Sequence, residues 1–275
     1  MLIEPYVYDV ISQGYYDRAG VRHSAPHANG FGNLTYINYG LLDRLTVGMI
    51  PTEGFNTVSG GASSSGIRMG DLTLQAQYRL TQFKPGHWLP TMSVALQETL
   101  PTGKYDQLGL RSTNGLGSGV YTTTFAFYAQ TYFWLPNRRI LRMRFNVLDG
   151  FSGRASVKDV SVYGTEQGFR GSAQPGKSVY IDNSWEYSLT RRWVLATDVT
   201  YRHDTNTHVA GYEALDPPRA PIVLDSGSRD AFALAPAVEY SWSSRIGVLL
   251  GVRLFPAGRN TGASITPAIA INYVH

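Results

Sequence analysis

The stretch GDLTLQAQYRL, Gly70 to Leu80, decides the reading of this chain. Thr73, Gln75, Gln77 and Arg79 are polar, and Leu72, Leu74, Ala76, Tyr78 and Leu80 alternate with them as apolar residues. A period of two puts the two sets on opposite faces of a β-strand. In a soluble sandwich the apolar faces of such strands meet in the middle. In a transmembrane barrel they face lipid, and the polar set surrounds a lumen.

The same alternation recurs along the chain, and helix signals are almost absent. Strands are expected at 4–14, 32–41, 44–55, 70–81, 88–101, 118–134, 139–150, 178–189, 192–205, 231–242, 245–256 and 263–274. Strands in globular proteins peak near five or six residues, whereas a tilted strand needs about nine to eleven to cross a bilayer. Most of these strands have the greater length. Short links at Leu42-Asp43, Thr81–His87, Pro136–Arg138, Thr190-Arg191 and Ser243-Ser244 alternate with Gly/Ser/Asp-rich links at 15–31, 56–69, 102–117, 151–177 and 206–230, and a shorter one at 257–262. Tight turns at one rim and large loops at the other describe an up-and-down antiparallel barrel of about twelve strands. The expected fold is therefore all-β: one transmembrane barrel domain over 1–275, with short periplasmic turns and long extracellular loops.

Composition narrows the function classes. The 275 residues include no cysteine, which removes disulfide scaffolds and thiolate metal sites. No apolar run reaches the length of a membrane helix. The formal charge of +4 comes without a basic stripe, so no nucleic-acid partner is expected. The opening MLIEPYVYDV shows no signal peptide. The chain is then either cytosolic or one whose signal has been removed, and the barrel pattern selects an outer-membrane protein of the second kind.

Parity assigns the faces. Arg142, Arg144 and Asn146 alternate with Leu141, Met143, Phe145 and Val147; Asp182 and Glu186 alternate with Ile181, Trp185 and Tyr187. Asp198 and Arg202, Glu239, and Arg253 fall on the polar side of their own strands. With Gln75, Gln77, Arg79, Gln97, Tyr128 and Gln130 they form the expected pore lining. Arg142 and Arg144 should face Asp182 and Glu186 across adjacent antiparallel strands as ion pairs. Such a lattice either satisfies charges in the wall or guides a solute. Glu98 falls in phase with Met92, Val94 and Leu96, which suggests a local bulge.

Trp88, Trp193 and Trp242 lie on the apolar side beside short turns, as Tyr273 does near the C-terminus. Rings that are apolar but carry a polar tip collect at the membrane–water boundary. The last strand, SITPAIAINYVH, has apolar residues at alternate positions and resembles the C-terminal signal of the barrel-assembly machinery, ending in His275 where an aromatic such as Phe is usual. In the long loop 206–230, Pro217-Pro218 and the run Pro221 to Leu224 could fold inward as a lid or pack on neighbouring loops. No metal site or cofactor is expected: the spacing of Asp216, Asp225 and Asp230 fits no defined cation loop.

Gly70-Asp71, Tyr78 and the segment LPTMSVALQETLPTGKYD, with Leu100-Pro101-Thr102-Gly103, resemble the outer-membrane protein family named for the MetA pathway of phenol degradation. Gln77 stands where that family often has a basic residue. The resemblance implies a Gram-negative outer-membrane barrel that passes small, often aromatic, compounds, with outer-membrane lipid and lipopolysaccharide around it, and it carries no catalytic residues. The expected function is passive uptake through a narrow polar lumen. The alternatives are a non-conducting structural or adhesion barrel and an outer-membrane lipid hydrolase. For the last, the chain has neither a His-x-Ser pair nor Gly-x-Ser-x-Gly, and the adjacent His23-Ser24 cannot readily take nucleophile–base geometry; the chain is read as a non-enzyme.

Overall fold

The computed structural model describes residues 1–214 and 221–275. The described residues form β1 (Leu2–Tyr16), β2 (Arg22–Leu42), β3 (Leu45–Ile50), β4 (Thr52–Val58), β5 (Arg68–Met69), β6 (Leu72–Arg79), β7 (Thr91–Leu100), β8 (Thr122–Trp134) and β9 (Ile140–Ser152). They continue with β10 (Ala155–Lys158), β11 (Phe169–Gln174), β12 (Ser178–Ser188), β13 (Trp193–Asp204), β14 (His208–Glu213), β15 (Pro221–Asp225), β16 (Arg229–Ser241), β17 (Ile246–Arg259) and β18 (Thr261–Val274). A single 3-10 turn covers Ser112–Asn114.

Every barrel neighbour is antiparallel, and the sheet closes because β1 pairs with both β2 and β18. Closure leaves no sheet edge whose N–H and C=O groups would sit unpaired in hydrocarbon, at several kcal/mol each. There are twelve staves among the described residues. Pro51 has no N–H for the ladder, so β3 and β4 are one stave broken there, and β5 and β6 are another, broken at Gly70-Asp71. Both termini lie at the short-turn rim, where the Met1 ammonium donates to the His275 carbonyl at 2.7 Å.

The distribution of apolar side chains is that of a barrel turned outward. Val7, Leu96, Phe145, Leu250 and Ile269 are exposed on the outer face, although they sit well inside long strands. The largest dry cluster (Val120, Ala155, Val157, Phe169, Ala173 and Val209) lies beyond the long-loop rim instead of inside the ring of staves.

Three expectations about the loops change. The link 15–31 shrinks to a turn at 17–21, since β1 and β2 stay paired to Tyr16↔Arg22. There the Asp17 carboxylate accepts from the Ala19 and Val21 amides at 2.8 and 2.9 Å. His23, together with those amides, holds its carboxyl below the usual range. The link 257–262 is likewise a tight hairpin around Asn260 (φ +51°). The links 151–177 and 206–230 carry strands: β10, β11, β14 and β15 form a second antiparallel sheet in that order. This order repeats that of β9, β12, β13 and β16 in the barrel, so four neighbouring staves continue upward as a wall. Phe169, 1 % exposed, fits because Gly171 and Gly211 lie beneath its ring, where a Cβ at either position would fall 2.6–2.7 Å from its Cζ. Pro217, Pro218 and Asp216 lie outside the described residues.

Candidate functional site: the lumen and its mouth

Register places the expected lining residues on one face. Asn38 on β2 accepts from Gln75 Nε2 at 2.6 Å; Gln97 Nε2 donates to Gln75 Oε1 at 3.3 Å and to the Tyr128 hydroxyl at 3.1 Å. This amide–phenol ladder runs across five staves on the inner face, passing over Gly48 of β3 between Asn38 and Gln75. Gln77 continues it toward the short-turn rim, in register with Thr46 and Ala95. Arg79 lies at that rim and donates to the Asp43 carbonyl at 2.7 Å.

A charged belt follows on the opposite staves. Glu186 accepts from Arg142, which faces it in register, and from Arg144 at 2.8 Å. Only 9 % of the Glu186 side chain is exposed, against 31 % and 35 % for the two arginines. Gln130 lies opposite Arg144 on the other side. The pairing differs from the expected one at Asp182, which faces Asn146 and takes its amide hydrogen bond at 2.7 Å, with Ser184 donating to the same carboxylate. Asp198 stands across from Ser184. Glu4 and Glu239 lie within electrostatic reach of Arg142 and Arg144, joining β1 and β16 to the belt. Glu4 is a belt residue that sequence reasoning did not single out; its parity with Tyr6 and Tyr8 is the signal that would have found it.

Arg253 is exposed to the lumen and within electrostatic reach of Tyr36 and Tyr180. Around it, β16 to β18 present small inner residues: Ala233, Ala235, Ala237, Gly251, Ala268 and Ala270. Arg202 sits near the long-loop rim, where it pairs with Asp204 at 2.9 Å, as Arg229 also does.

The outer face has its own order. The β6–β7 ladder runs unbroken from Leu72↔Leu100 to Arg79↔Ser93, so there is no bulge at Glu98. Glu98 faces outward and accepts from Thr123 Oγ1 at 2.7 Å. Trp193 and Trp242 flank Tyr240, with ring centroids 4.6 and 5.5 Å away. Tyr273 is exposed beside Ile246 and Ile3. Trp88 precedes β7 rather than belonging to it and is 87 % exposed. With Phe83, Pro90, Phe133 and Trp134 it lines an aromatic hollow at the short-turn rim. Trp134 shares the inner parity of Tyr132 and stacks on Phe83 at 6.0 Å.

At the long-loop rim the link 102–117 reaches the inner face of the barrel, whereas β14 and β15 of the link 206–230 stand in the upward wall. Leu116 packs beside Gly54, and the Thr113 carbonyl accepts from Asn56 Nδ2 at 3.1 Å; both Gly54 and Asn56 belong to the inner face of β4. The far side of the link is tied to the upward wall, since the Gln107 and Leu108 amides donate to the Lys158 and Val160 carbonyls at 3.1 and 3.0 Å. Tyr163 donates to the Ser118 carbonyl; burial first, then the Asp71 carboxylate, pushes its phenol up to about 12. His23, His203 and His208 each pair with an aspartate (Asp17, Asp230 and Asp225) and none with a serine. Among the described residues no group of His, Cys, Asp or Glu is arranged to hold a metal ion.

Comparison with known proteins agrees with this architecture. The sequence model described as "Putative MetA-pathway of phenol degradation" matches residues 19–266. The fold is similar to the COG4313 outer membrane channel from Pseudomonas putida F1, at TM-score 0.71 and 14 % identity, covering 100 % of this chain and 94 % of that one. It is also similar to the beta domain of the Bordetella autotransporter BrkA, at TM-score 0.51 and 10 % identity, with both chains covered in full. No curated protein matches the chain in sequence.

Proposed function

The chain belongs to the family named for the MetA pathway of phenol degradation, and we propose that it is a bacterial outer-membrane channel for passive uptake of small solutes, aromatic compounds among them. The carrying observation is the inside-out polarity: amides, phenols and ion pairs line the interior, while large aliphatic and aromatic residues cover the outside. Lipid is the solvent that such an exterior suits. Trp193, Trp242, Tyr273 and Trp88 then occupy the periplasmic membrane–water boundary. Lipopolysaccharide meets the outer face near the long-loop rim, and β18 is the segment that the barrel-assembly machinery reads.

Gln75, Gln77, Gln97, Tyr128 and Gln130 give the pore neutral hydrogen-bonding groups, and Tyr6, Tyr8, Tyr36 and Tyr180 add phenol rings. Such a surface suits solutes that combine a ring with one or two polar groups. The belt of Arg142, Arg144, Glu186, Glu239 and Glu4 carries both signs, so it filters weakly by charge. Transport is diffusive, with no chemical step. Liposome swelling with phenols, aromatic acids and sugars of graded size tests the reading. Swelling above protein-free vesicles is expected, and its absence for every solute would favour the structural or adhesion alternative, for which the upward wall of β10, β11, β14 and β15 offers a surface.

A further inference from the structure

Four residues of the family motif, Gly70, Asp71, Thr102 and Gly103, build a clamp. Stave β5–β6 is interrupted at Gly70-Asp71, and the chain leaving β7 fills the gap with a side chain: Thr102 Oγ1 donates to the Gly70 carbonyl at 2.9 Å and accepts from the Leu72 amide at 3.0 Å. The Asp71 carboxylate then grips both ends of the following loop. Its Oδ1 accepts from the Gly103 amide at 3.0 Å; its Oδ2 accepts from the Ser118 amide at 2.7 Å and the Ser118 hydroxyl at 2.6 Å. Between these ends Gly103 lies directly on Gly117, where a Cβ on the former would fall 2.7 Å from the Cα of the latter. The Leu116 and Gly117 amides both donate to the Lys104 carbonyl, at 3.0 and 2.9 Å. The result is a closed neck with a compact body, the geometry of an Ω-loop.

The body does not hang into solvent. Asn56 Nδ2 and Ser64 Oγ hold the Thr113 carbonyl at 3.1 and 2.7 Å, Asn114 accepts from the Ser65 amide at 2.9 Å, and Arg111 donates to the Ser63 carbonyl at 2.8 Å. Its other flank is bonded to Lys158 and Val160 beside β10. In wall order these anchors lie on the third and seventh of the twelve staves. A segment tied at both points, and touching the inner residues Gly54 and Asn56, spans a chord across the mouth. The carboxylate–amide bonds of its neck are half-buried and charge-assisted, so the neck is the rigid part.

We propose that the loop Gly103–Gly117 is the size-selecting constriction of the channel and that Asp71 is the positioning residue that holds it across the lumen. The inference rests on the channel reading above. Two variants test it in planar bilayers and swelling assays. Asp71→Ala releases both ends of the neck. Deletion of 105–115 joins Lys104 to Leu116, whose backbones are already hydrogen-bonded, and so removes the body without stretching the wall. A chord between the third and seventh staves subtends about a third of the circle and cuts off about a fifth of its area, so the deletion should raise single-channel conductance by about 1.2-fold and admit larger sugars. Asp71→Ala should broaden conductance into several levels and also raise the size limit. Heat-modifiable gel mobility, read in parallel, keeps barrel folding separate from pore size. A silent wild type beside a conducting deletion would support the proposal in its strongest form. Conducting wild type and variants with one conductance and one size limit would overturn the loop's role and leave the channel standing. Silence from all three folded proteins would overturn both.

Discussion

Replacing Glu186 with Gln removes one negative charge from the lumen while keeping the side chain's size and one acceptor oxygen. Glu186 is the shared partner of Arg142 and Arg144, so both guanidiniums lose compensation together. A twelve-stave ring with strands about 4.8 Å apart and tilted near 40° has a backbone radius of roughly 12 Å. Side chains of this length reach about halfway to the axis. A unit charge about 6 Å from a passing ion contributes about 0.7 kcal/mol in water. A cation then loses, and an anion gains, about that much, so the cation-to-anion permeability ratio should fall about tenfold in dilute salt. Near 0.1 M, where the screening length is about 10 Å, the expected fall is three- to fourfold.

The assay is the reversal potential across a planar bilayer under a KCl gradient, at two salt concentrations. Arg142→Gln is the mirror experiment and should move the potential the other way. Because the arginines remain about one-third exposed to lumen water, the folding cost of Glu186→Gln should stay well below the 3–5 kcal/mol of a broken dry ion pair. Reversal potentials that coincide for wild type and both variants, with folded mobility retained, would refute placement of this belt along the conduction path. It would then be a lattice that only satisfies the wall.

On the outer face, Leu250→Arg should cost about 2–4 kcal/mol in urea unfolding from lipid vesicles if that residue faces the bilayer midplane; a neutral result would turn the wall the other way. Phe169→Ala opens the packed cluster of the upward wall and should cost that sheet about 3–5 kcal/mol locally, read as new protease cleavage within 154–176 while the barrel stays resistant. Trp193→Ala removes the ring contact to Tyr240 and should lower stability by about 0.5–1.5 kcal/mol beyond the lost area, measured by tryptophan-independent gel mobility against urea. Asp159 carries the pH prediction. Arg170 first, then the Gly168 amide, lowers its pKa in the folded wall. Its stabilisation is therefore complete above the ordinary carboxylate value of 3.8 and fades as pH falls through the lower folded value. Protease sensitivity at 159–170 should rise only in that acid window; a transition near neutrality would contradict it.

Each of the twelve expected strands overlaps a stave, and the reason is physical. Wherever a strand separates lipid from water, each second residue must change character, as Leu74, Gln75, Ala76 and Gln77 do. The signal fails where that solvent contrast ends. Residues 22–31, RHSAPHANGF, are strand in the structure, yet above the bilayer both their faces can be polar, so no alternation marks them. The upward wall was hidden for the same cause. Val157, Phe169 and Val209 come from three separated segments, and only their packing reveals a common core. Glu98 shows the converse error: a charge on the lipid-side parity suggested a slipped register, whereas Thr123 satisfies it in place.

Apolar content is a poor guide to which segment meets a wet lumen. By hydrophobicity and stiffness Pro217-Pro218 and the run Pro221 to Leu224 offered a lid, with packing on neighbouring loops as the other reading, and the Pro217-Pro218 pair lies outside the described residues. What suits the link 102–117 to a polar bore is hydrogen bonding: its Thr113 carbonyl is held by Asn56 and Ser64, its Asn114 side chain by the Ser65 amide, and its Gly103 amide by Asp71. The sequence sign of that arrangement is the coincidence of Gly-Asp in one strand with Thr-Gly just after the next. Gly103 is required because a side chain there would strike Gly117, and Asp71 because a two-oxygen acceptor can serve two chain ends at once. Both requirements belong to the loop's neck and neither to the strands, which would pair as well with other residues. A motif that a barrel wall alone does not need is thereby accounted for by the segment standing across its opening.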